Sequence, residues 1–379
     1  MIKSQAELAA LVATGGPFNV RAQGTKQGLG RPAQADKVLD LSGFKGITLY
    51  EPDELVLEAG AATPLSVIEK ALAKNNQQLA FEPPDYSKLL GTRSSGTLGG
   101  VMACGLSGPR RIRAGSARDH ILGFSGVSGR GEFFKAGGRV VKNVTGFDLA
   151  KLMVGSFGTL VALTSITLKV LPAAETEETL VLEGLTDVSA VHAMSLAMQS
   201  SCEVSAAAHL PEGKTLLRLE GFRPSVIFRR DRLAGLLKGF GNIEVLAQKQ
   251  SMAQWKDIRD VRPLAETSGR QVWKLSVTPS KGAETVARIC RKLDARYFFD
   301  WAGGLIWLDV PASPGASASI IRASLDGGHA TLVRAAKDVR MNVDVLQPQD
   351  QALAALTARV KASFDPLGAF NRGRMYKDI

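Results

Sequence analysis

The most informative stretch of the sequence is residues 142–172, KNVTGFDLAKLMVGSFGTLVALTSITLKVLP. Four polar residues lie close to Gly146 in the sequence, namely Lys142, Asn143, Thr145 and Asp148. A turn with little side-chain cover follows at Gly155, Ser156 and Gly158. An alternating segment comes next, with Ile166, Leu168 and Val170 set against Thr167 and Lys169. The stretch therefore predicts a polar loop, a tight turn and a strand, an arrangement that suits a phosphate-bearing ligand.

Two more glycine clusters lie upstream, at residues 24–30 (GTKQGLG) and 96–100 (GTLGG). The first lacks the G-x-G-x-x-G spacing, and its lysine precedes the later glycines, unlike the order in a P-loop. Taken alone, it is as consistent with a plain turn as with a phosphate cradle. Backbone N–H groups without side chains can nevertheless converge on a pyrophosphate.

The order of these motifs resembles the FAD-binding domain of the vanillyl-alcohol oxidase family, and within it the FAD-binding subunits of bacterial glycolate oxidase. The resemblance is carried by residues 20–32, 96–124, 137–160 and 364–374. It implies an α+β fold with a two-part FAD-binding domain at 1–172 and an α+β cap domain at 173–334. Residues 335–379 are then a C-terminal helix and a tail that returns to the flavin.

The glycine clusters and the resemblance together give the candidate FAD-binding residues. These are Gln23, Gly24, Thr25, Lys26, Gln27, Gly91, Thr92, Gly96, Thr97, Leu98, Gly99, Gly100, Gly108, Lys142, Thr145, Gly146, Asp148, Gly158, Val161, Asn371 and Arg374. We expect noncovalent FAD, because Thr25 and Lys26 stand where flavinylated relatives carry a histidine.

Four of these candidates also have plainer interpretations. Asp148 could simply cap the helix that follows it, and Lys142 could be a solvated lysine. Residues 371–374, NRGR, resemble the family's N-P-G-[KR] motif with Arg372 in place of proline. The alternative there is a frayed terminus.

Length and charge limit the classes of function. A chain of 379 residues predicts two domains. The net charge of +11 favours an acidic protein partner, an anionic cofactor or an anionic membrane. Nucleic acid is disfavoured, because aromatic residues are only 6% and no basic run is interleaved with them. The densest basic stretch is Arg110, Arg111, Arg113 and Arg118, which we interpret as packing near the cofactor or a partner rather than as a solvated loop.

The cysteines, Cys104, Cys202 and Cys290, are odd in number and widely spaced. They predict neither a disulfide framework nor a four-thiolate iron–sulfur cluster on this chain. A reducing compartment fits, so we expect a cytoplasmic protein, with the inner face of the membrane as the alternative if a complex binds there. The longest uncharged stretch, residues 152–168, has the small residues and period of buried strands rather than of a membrane span.

The catalytic residues are less well indicated. The histidines His120, His192, His209 and His329 have no metal-ligand spacing, so we expect no metal site. His329 is the first candidate base, although a core or edge histidine is the plainer interpretation. Arg334 ends the same predicted strand on the opposite face, and it could bind a carboxylate only if a twist or bulge brought it round.

Several local elements follow from caps and periodicity. Ser4 and Glu7 predict a capping box before a helix with Leu8, Leu11 and Val12 on its apolar face. Strands are predicted at 38–41, 47–50 and 55–58, and a helix is predicted to start with Thr63 as its cap. Further helices are expected at 224–239, 281–293, 315–326 and 349–363, and a hairpin turn at Trp301–Gly304.

The resemblance implies one function and leaves a second open. In the first, this chain is a flavoprotein subunit of a glycolate oxidase complex. A catalytic FAD subunit and an iron–sulfur subunit are its partners, and electrons pass from a small 2-hydroxy acid through flavin to the iron–sulfur centre. In the second, the chain is a self-sufficient FAD-dependent oxidase or dehydrogenase of a hydroxy acid, alcohol or sugar. The sparse histidines favour the first.

Overall fold

The structure is a computed structural model that describes residues 1–139, 147–266, 269–312 and 315–379. The predicted site residues Lys142, Thr145 and Gly146, with the neighbouring Asn143, lie outside the described residues. The chain divides into two compact units. The first comprises Met1–Ser107, Gly115–Ala173 and Asp344–Ile379, and the second comprises Gly108–Ala114 and Ala174–Val343. The chain thus re-enters the first unit at Asp344, whereas the predicted boundary lies at 334/335.

Helices occur in both units. In chain order they are α1 (Gln5–Ala13), α2 (Leu65–Ala73), α3 (Ser87–Leu90), α4 (Leu98–Ala103), α5 (Arg111–Ala114), α6 (Ala117–His120), α7 (Leu149–Met153), α8 (Asp187–Gln199), α9 (Arg223–Leu237), α10 (Gln248–Arg259), α11 (Gly282–Cys290), α12 (Ala316–Ala323), α13 (Lys337–Asn342) and α14 (Gln351–Phe364). None of the helices in the described ranges is long and apolar enough to cross a membrane.

The strands of the first unit are β1 (Phe18–Arg21), β2 (Lys37–Asp40), β3 (Ile47–Glu51), β4 (Val56–Gly60), β5 (Gln77–Gln78), β6 (Ile121–Ser128), β7 (Phe133–Gly137), β8 (Val161–Lys169) and β9 (Leu171–Pro172). The main sheet is antiparallel, in the order β3-β4-β8-β6-β7. The central strand β8 is buried along nearly its whole length, which explains its apolar run. The strand at the end of the opening motif therefore lies in the middle of this sheet.

Outside the main sheet, β1 and β2 pair in parallel, and the short β5 and β9 pair antiparallel. The C-terminal tail packs beside the N-terminal elements. Phe370 is fully buried in a cluster with Leu8, Val12 and Phe18, and its backbone bridges to Phe18. Both ends of the chain thus contribute to one core of the first unit.

Two predicted caps in this unit are partly wrong. The hydroxyl of Ser4 accepts from the amide of Glu7 at 3.1 Å, but the Glu7 carboxylate accepts from the amide of Lys3 rather than of Ser4. Leu11 is exposed, so the apolar face of α1 is narrower than predicted. Thr63 does not cap α2, because its hydroxyl bonds to the amide and carbonyl of Gly46 and Pro64 holds the cap position.

The second unit is built on an antiparallel sheet whose strands are β10 (Thr176–Leu182), β11 (Ala206–His209), β12 (Thr215–Gly221), β13 (Ile243–Leu246), β14 (Arg270–Ser276), β15 (Arg296–Asp300), β16 (Leu305–Pro311) and β17 (His329–Arg334). Their order is β13-β10-β12-β11-β15-β16-β14-β17. The predicted hairpin is confirmed, since Asp300 pairs with Leu305 across a turn at Trp301–Gly303. The four predicted long helices are confirmed as α9, α11, α12 and α14.

Candidate cofactor site

A cleft opens in the first unit. Most of its lining comes from four segments, which are the loop after β1, the start of α4, the turn before β8 and the C-terminal tail. Its lining residues are Val20, Arg21, Ala22, Gln23, Gly24, Thr25, Lys26, Gln27, Leu41, Ala61, Ala62, Thr97, Gly99, Gly100, Ala103, Cys104, Phe157, Gly158, Val161, Leu163, Asn371 and Arg374.

The loop after β1 presents unused hydrogen-bond donors. The backbone N–H groups of Gly24, Thr25 and Lys26 donate to none of the residues that the structure describes. Gly24 has a φ of +73°, a conformation that glycine adopts without strain. Consecutive free amides next to a left-handed residue form a concave donor surface that suits an anion.

Lys26 adds a buried positive charge beside those amides. Its Nζ donates to the carbonyl oxygen of Ser95 at 2.8 Å and makes no ion pair with a carboxylate of the described residues. Burial lowers the pKa of Lys26, an effect that nearby Cys104 and Asp85 partly oppose. An anionic ligand would supply the counter-charge that this ammonium lacks.

The charge of the cleft is one-sided. Arg21, Lys26 and Arg374 contribute cations to its lining, and none of the lining residues that the structure describes is acidic. Apolar side chains such as Ala61, Val161 and Leu163 complete it. A dinucleotide with an anionic pyrophosphate and flat apolar rings matches both properties, so the residues present fit FAD.

The two glycines at the start of α4 have different roles. A Cβ on Gly99 would lie 2.8 Å from the carbonyl oxygen of Ala61, so the crowding there comes from the protein itself. A Cβ on Gly100 would lie 3.5 Å from the Lys26 side chain, which is ordinary contact. Of these two glycines, Gly100 is therefore the one at which a bound ligand, rather than the protein itself, would exclude a side chain.

The turn before β8 is tied to α4 and to the tail. The amide of Phe157 donates to the carbonyl of Ala103 at 2.7 Å, and Phe157 and Gly158 both have positive φ. A Cβ on Gly158 would lie 3.0 Å from Nδ2 of Asn371. The bare turn predicted from the sequence thus makes room for an amide side chain of the tail.

Asn371 and Arg374 lie in the cleft lining and are firmly held. Oδ1 of Asn371 accepts from the amide of Val20 at 2.8 Å, and its Nδ2 donates to the carbonyl of Phe157 at 2.8 Å. Nη2 of Arg374 donates to the carbonyl of Lys26 at 2.7 Å. The interpretation as a frayed terminus is wrong. Arg372, which replaces the motif's proline, is exposed, so hydrogen bonds rather than a proline ring hold this loop.

A buried ion pair holds the start of the tail. Nζ of Lys361 donates to Asp365, to the carbonyl of Thr159 at 2.6 Å and to the carbonyl of Phe370 at 3.1 Å. The Asp365 carboxylate also accepts from the amides of Ala369 and Phe370. Burial lowers the pKa of Lys361, and Asp365 opposes that effect. No pattern in the sequence indicated this buried pair.

Other cofactor candidates lie off the cleft lining. Gly91 ends α3 with a left-handed φ, Leu98 is a core residue, and Thr92 borders an adjacent pocket with Gln23. A Cβ on Gly96 would collide with the hydroxyl of Thr25, so this glycine serves local packing. Asp148 precedes α7 without a capping hydrogen bond and pairs with Lys151 at 2.7 Å.

Gly108 and the arginine-rich stretch pack largely within the second unit. The carbonyl of Gly108 accepts from Nε1 of Trp301, and Arg110 pairs with Glu220 at 2.7 Å. Although burial would raise the pKa of Glu220, Arg218 and Arg110 lower it to about 2. Arg113 pairs with Glu203 at 2.6 Å. Two of the four arginines are thus ion-paired within the second unit. Their charges therefore do not form an unpaired basic surface for a partner.

The catalytic candidates lie at the ends of the edge strand β17. His329 is exposed, whereas Arg334 donates to the carbonyl of Ala265 at 2.8 Å and lies 3.7 Å from Asp309. The pairing of β17 with β14 is irregular next to Arg334, because Val272 and Trp273 of β14 pair with Arg334 and Leu332 and skip Val333. Because Asp309 lies beside Arg334, the guanidinium already has an acidic neighbour. Their catalytic roles stay predictions.

Within the described ranges, no group of three or more His, Cys, Asp or Glu side chains is placed to hold a metal. Cys104 lies half-buried in the cleft lining, Cys202 is buried and Cys290 is exposed, all as free thiols. Burial raises the pKa of Cys104, although Arg374 and Lys26 oppose the effect. The thiol beside the cofactor cleft is therefore in its protonated form at neutral pH.

Comparisons with known proteins agree with this geometry. Residues 2–137 match the family model described as FAD binding domain. The chain is 34% identical over 369 residues to Glycolate oxidase subunit GlcE of Escherichia coli (strain K12), covering 96% of this chain and 93% of that protein. It is 33% identical over 132 residues to Glycolate oxidase subunit GlcD of Bacillus subtilis (strain 168), covering 35% of this chain and 27% of that protein.

Among solved structures, alkyldihydroxyacetonephosphate synthase superposes with a TM-score of 0.66 at 14% identity, covering 98% of this chain and 75% of that one. This similarity concerns the fold alone, and it confirms the expected vanillyl-alcohol-oxidase-type α+β architecture. Evidence for the chemistry comes from two other matches, the similarity to a glycolate oxidase subunit over 96% of this chain and the match to the FAD-binding family. The chain is an FAD-binding oxidoreductase that belongs to the family of glycolate oxidase subunit GlcE.

Proposed function

We propose that this chain is an electron-transferring FAD subunit of a glycolate oxidase complex. Electrons would pass from a small 2-hydroxy acid through flavin to an iron–sulfur centre on another subunit. The main support for this proposal is the cleft, whose described lining has unused backbone amides, three cations and no acidic side chain, in a chain related over its length to a glycolate oxidase subunit. FAD supplies the redox chemistry when it is bound.

Different residues of the cleft would contact different parts of FAD. The amides of Gly24, Thr25 and Lys26 and the Lys26 ammonium would meet the pyrophosphate. Apolar side chains such as Ala61 and Val161 would cover ring surface. A cation near a flavin stabilises the anionic reduced form of the flavin. Arg374 lies in the cleft lining and would have this role. Binding would be noncovalent, since Thr25 and Lys26 offer no histidine and the Cys104 thiol is protonated.

The cysteines support a separate iron–sulfur partner. A cluster held by thiolates needs four, and this chain has three, at 104, 202 and 290. We therefore propose two partners, a catalytic FAD subunit and an iron–sulfur subunit. The location we propose is the cytoplasm, with any attachment to the inner face of the membrane made through the complex.

One feature of the second unit favours the alternative, in which the chain oxidises a hydroxy acid itself. Nζ of Lys274 lies 4.9 Å from the ring centroid of Trp301, and the guanidinium of Arg111 lies 4.3 Å from it. Burial and the Arg111 charge lower the pKa of Lys274 to about 8. Neither cation is ion-paired to a carboxylate of the described residues. Such a pair could receive a substrate carboxylate.

Anaerobic stopped-flow spectroscopy separates the two functions. We expect the isolated FAD-loaded chain to be bleached slowly or not at all by glycolate or lactate. Addition of the catalytic flavoprotein and the iron–sulfur subunit should restore glycolate-to-dye electron transfer. Bleaching of the lone chain at turnover rates, on the order of 10 per second, would make it a catalyst in its own right and remove the accessory role. Lys274→Met should then abolish that bleaching.

A further inference from the structure

Two cations of the second unit lie against the ring of Trp301. Lys274 is on β14, and Arg111 is in the segment Gly108–Ala114 of the same unit. The guanidinium carbon of Arg111 lies 4.3 Å from the centroid of the ring, and Nζ of Lys274 lies 4.9 Å from it. Among the described residues, no oxygen accepts a hydrogen bond from either side chain. Two cations on one aromatic ring, without a counter-charge, suit an anionic ligand.

The Trp301 ring is held in place, whereas the donors of Arg111 are available. Nε1 of Trp301 donates to the carbonyl of Gly108 at 3.1 Å, and its amide donates to the Asp300 carboxylate at 2.7 Å. Trp301 and Ala302 have φ values of +50° and +56°, which bulky residues rarely adopt and which are often kept at binding sites. Arg111 is exposed, so a small carboxylate can reach its N–H groups.

Lys274 differs from a surface lysine in its surroundings. Its cross-strand neighbours are Trp307 on β16 and Thr331 on β17, and neither carries a charge. Burial and the charge of Arg111 lower the pKa of Lys274 to about 8, and Asp300 opposes the effect. More of this side chain than of an ordinary lysine is therefore the neutral amine near neutral pH, the form that attacks a carbonyl carbon. The side chain is only half-buried, so a small molecule can reach it.

We propose that these two residues bind a small 2-oxo acid, with its carboxylate paired to Arg111 and its carbonyl carbon joined to Lys274 as an imine. Both residues contact one ring, and the charge of Arg111 acts on the Lys274 amine, so one small molecule can meet both. The choice of a 2-oxo acid rests on the proposed function, because two-electron oxidation of a 2-hydroxy acid gives a compound of that class.

The bond changes at Lys274 need no further reactant. The Nζ lone pair attacks the carbonyl carbon, and one N–H proton moves to the former carbonyl oxygen to give a carbinolamine. That oxygen then leaves as water with the second N–H proton, and a C=N bond remains. Hydrolysis reverses both steps. Neither an oxidant nor a reductant is consumed, so the site would hold the acid reversibly.

The test is reductive trapping on the full-length chain as purified. Glyoxylate is the probe, because it is the 2-oxo acid that oxidation of glycolate gives. Sodium cyanoborohydride converts its imine into a stable secondary amine, and peptide mass spectrometry locates the modified lysine. Glycolaldehyde is the matched probe, because it has an aldehyde carbon but no carboxylate. Lys249, an exposed lysine at the start of α10, serves as the internal reference for nonspecific modification.

We expect the ratio of modified Lys274 to modified Lys249 to be about tenfold or more higher with glyoxylate than with glycolaldehyde. Arg111→Gln should bring the two ratios together, because it removes the charge that receives the carboxylate. Lys274→Met should remove the adduct from this peptide, whereas Lys249→Met should leave the adduct on Lys274 unchanged. Circular dichroism and FAD occupancy verify that each variant is folded.

Three outcomes would overturn the inference. Lys274 could be no more reactive than Lys249, the two probes could give equal ratios, or the preference for glyoxylate could survive in Arg111→Gln. None of these results affects FAD binding or electron transfer with the partner subunits, which test the proposed function separately. Conversely, selective trapping at Lys274 in a chain that transfers no electrons with those subunits would support the site and contradict the proposed function.

Discussion

Arg374 donates a hydrogen bond to the carbonyl oxygen of Lys26 at 2.7 Å, across 348 residues of sequence. The bond joins the C-terminal tail to the first glycine loop at the point where that loop presents free amides. Because Asn371 also accepts from Val20, the tail fixes both ends of the loop. The geometry of the anion-binding loop therefore depends on the end of the chain.

The mode of flavin attachment gives the first prediction. We expect the purified chain to be yellow and to release all its FAD into the supernatant after acid precipitation. The reason is that Thr25, Lys26 and the protonated Cys104 offer no ready covalent link. Chromatography of the supernatant identifies the flavin. Flavin that stays with the pellet would contradict noncovalent binding, and FMN in place of FAD would contradict the dinucleotide assignment.

Gly100→Val should abolish measurable FAD binding. The branched side chain would enter the cleft and press on Lys26, whose Cγ lies 3.5 Å from the position of a Cβ. Fluorescence titration of the apoprotein with FAD measures the effect. Gly235→Val is the control, because nothing lies within 4 Å of a Cβ on that exposed residue of α9. Full flavin occupancy and normal stability in the Gly100 variant would mean that this glycine does not border the cofactor.

Lys26 predicts a pH dependence of FAD affinity. Burial lowers the pKa of Lys26 in the free protein, and an anion bound beside the ammonium would raise it again, so FAD binding is linked to proton uptake at pH values between those two pKa values. Affinity should therefore fall as pH rises from the lowered pKa of the free protein toward that of the complex. Titrations between about pH 7 and 10 should show this slope in the wild type and lose it in Lys26→Met. An unchanged slope in the variant would assign the proton to another group.

Lys361→Met should destabilise the first unit by about 3–5 kcal/mol, because it leaves the Asp365 charge buried without its partner. FAD affinity should fall as well, since the tail that carries Asn371 and Arg374 loses its anchor. Thermal unfolding and fluorescence titration measure the two effects separately. Lys70→Met, a lysine in the last turn of α2, is the control. Equal melting temperatures for the two variants would show that the ion pair does not hold the tail.

The features that sequence patterns predicted well are local ones. Glycines such as Gly24 and Gly158 have positive φ values, a conformation that the residue type itself allows. The hairpin at Trp301–Gly304 depends on residues that are adjacent in the chain. The first glycine loop, the start of α4, the turn before β8 and the tail all reach one cleft, as the order of motifs indicated.

Features that depend on distant contacts were not predictable in this way. Lys361 and Asp365 stand four residues apart on a polar-looking helix end, a pattern typical of a surface ion pair, and only the tail folding over them buries the pair. Leu41 and Ala61 line the cleft, but they are apolar residues that a sequence pattern cannot distinguish from ordinary core residues. Arg110 finds Glu220 on a strand 110 residues away, so its charge is neutralised inside the second unit.

The position of Asn371 and Arg374 in the cleft lining bears on how the protein is made. A ribosome that has synthesised residues 1–172 has produced the glycine loops but not the two tail side chains that complete the lining. The cofactor site can be finished only after residues 371–374 have emerged from the exit tunnel. A complete lining for FAD is therefore available only late in synthesis.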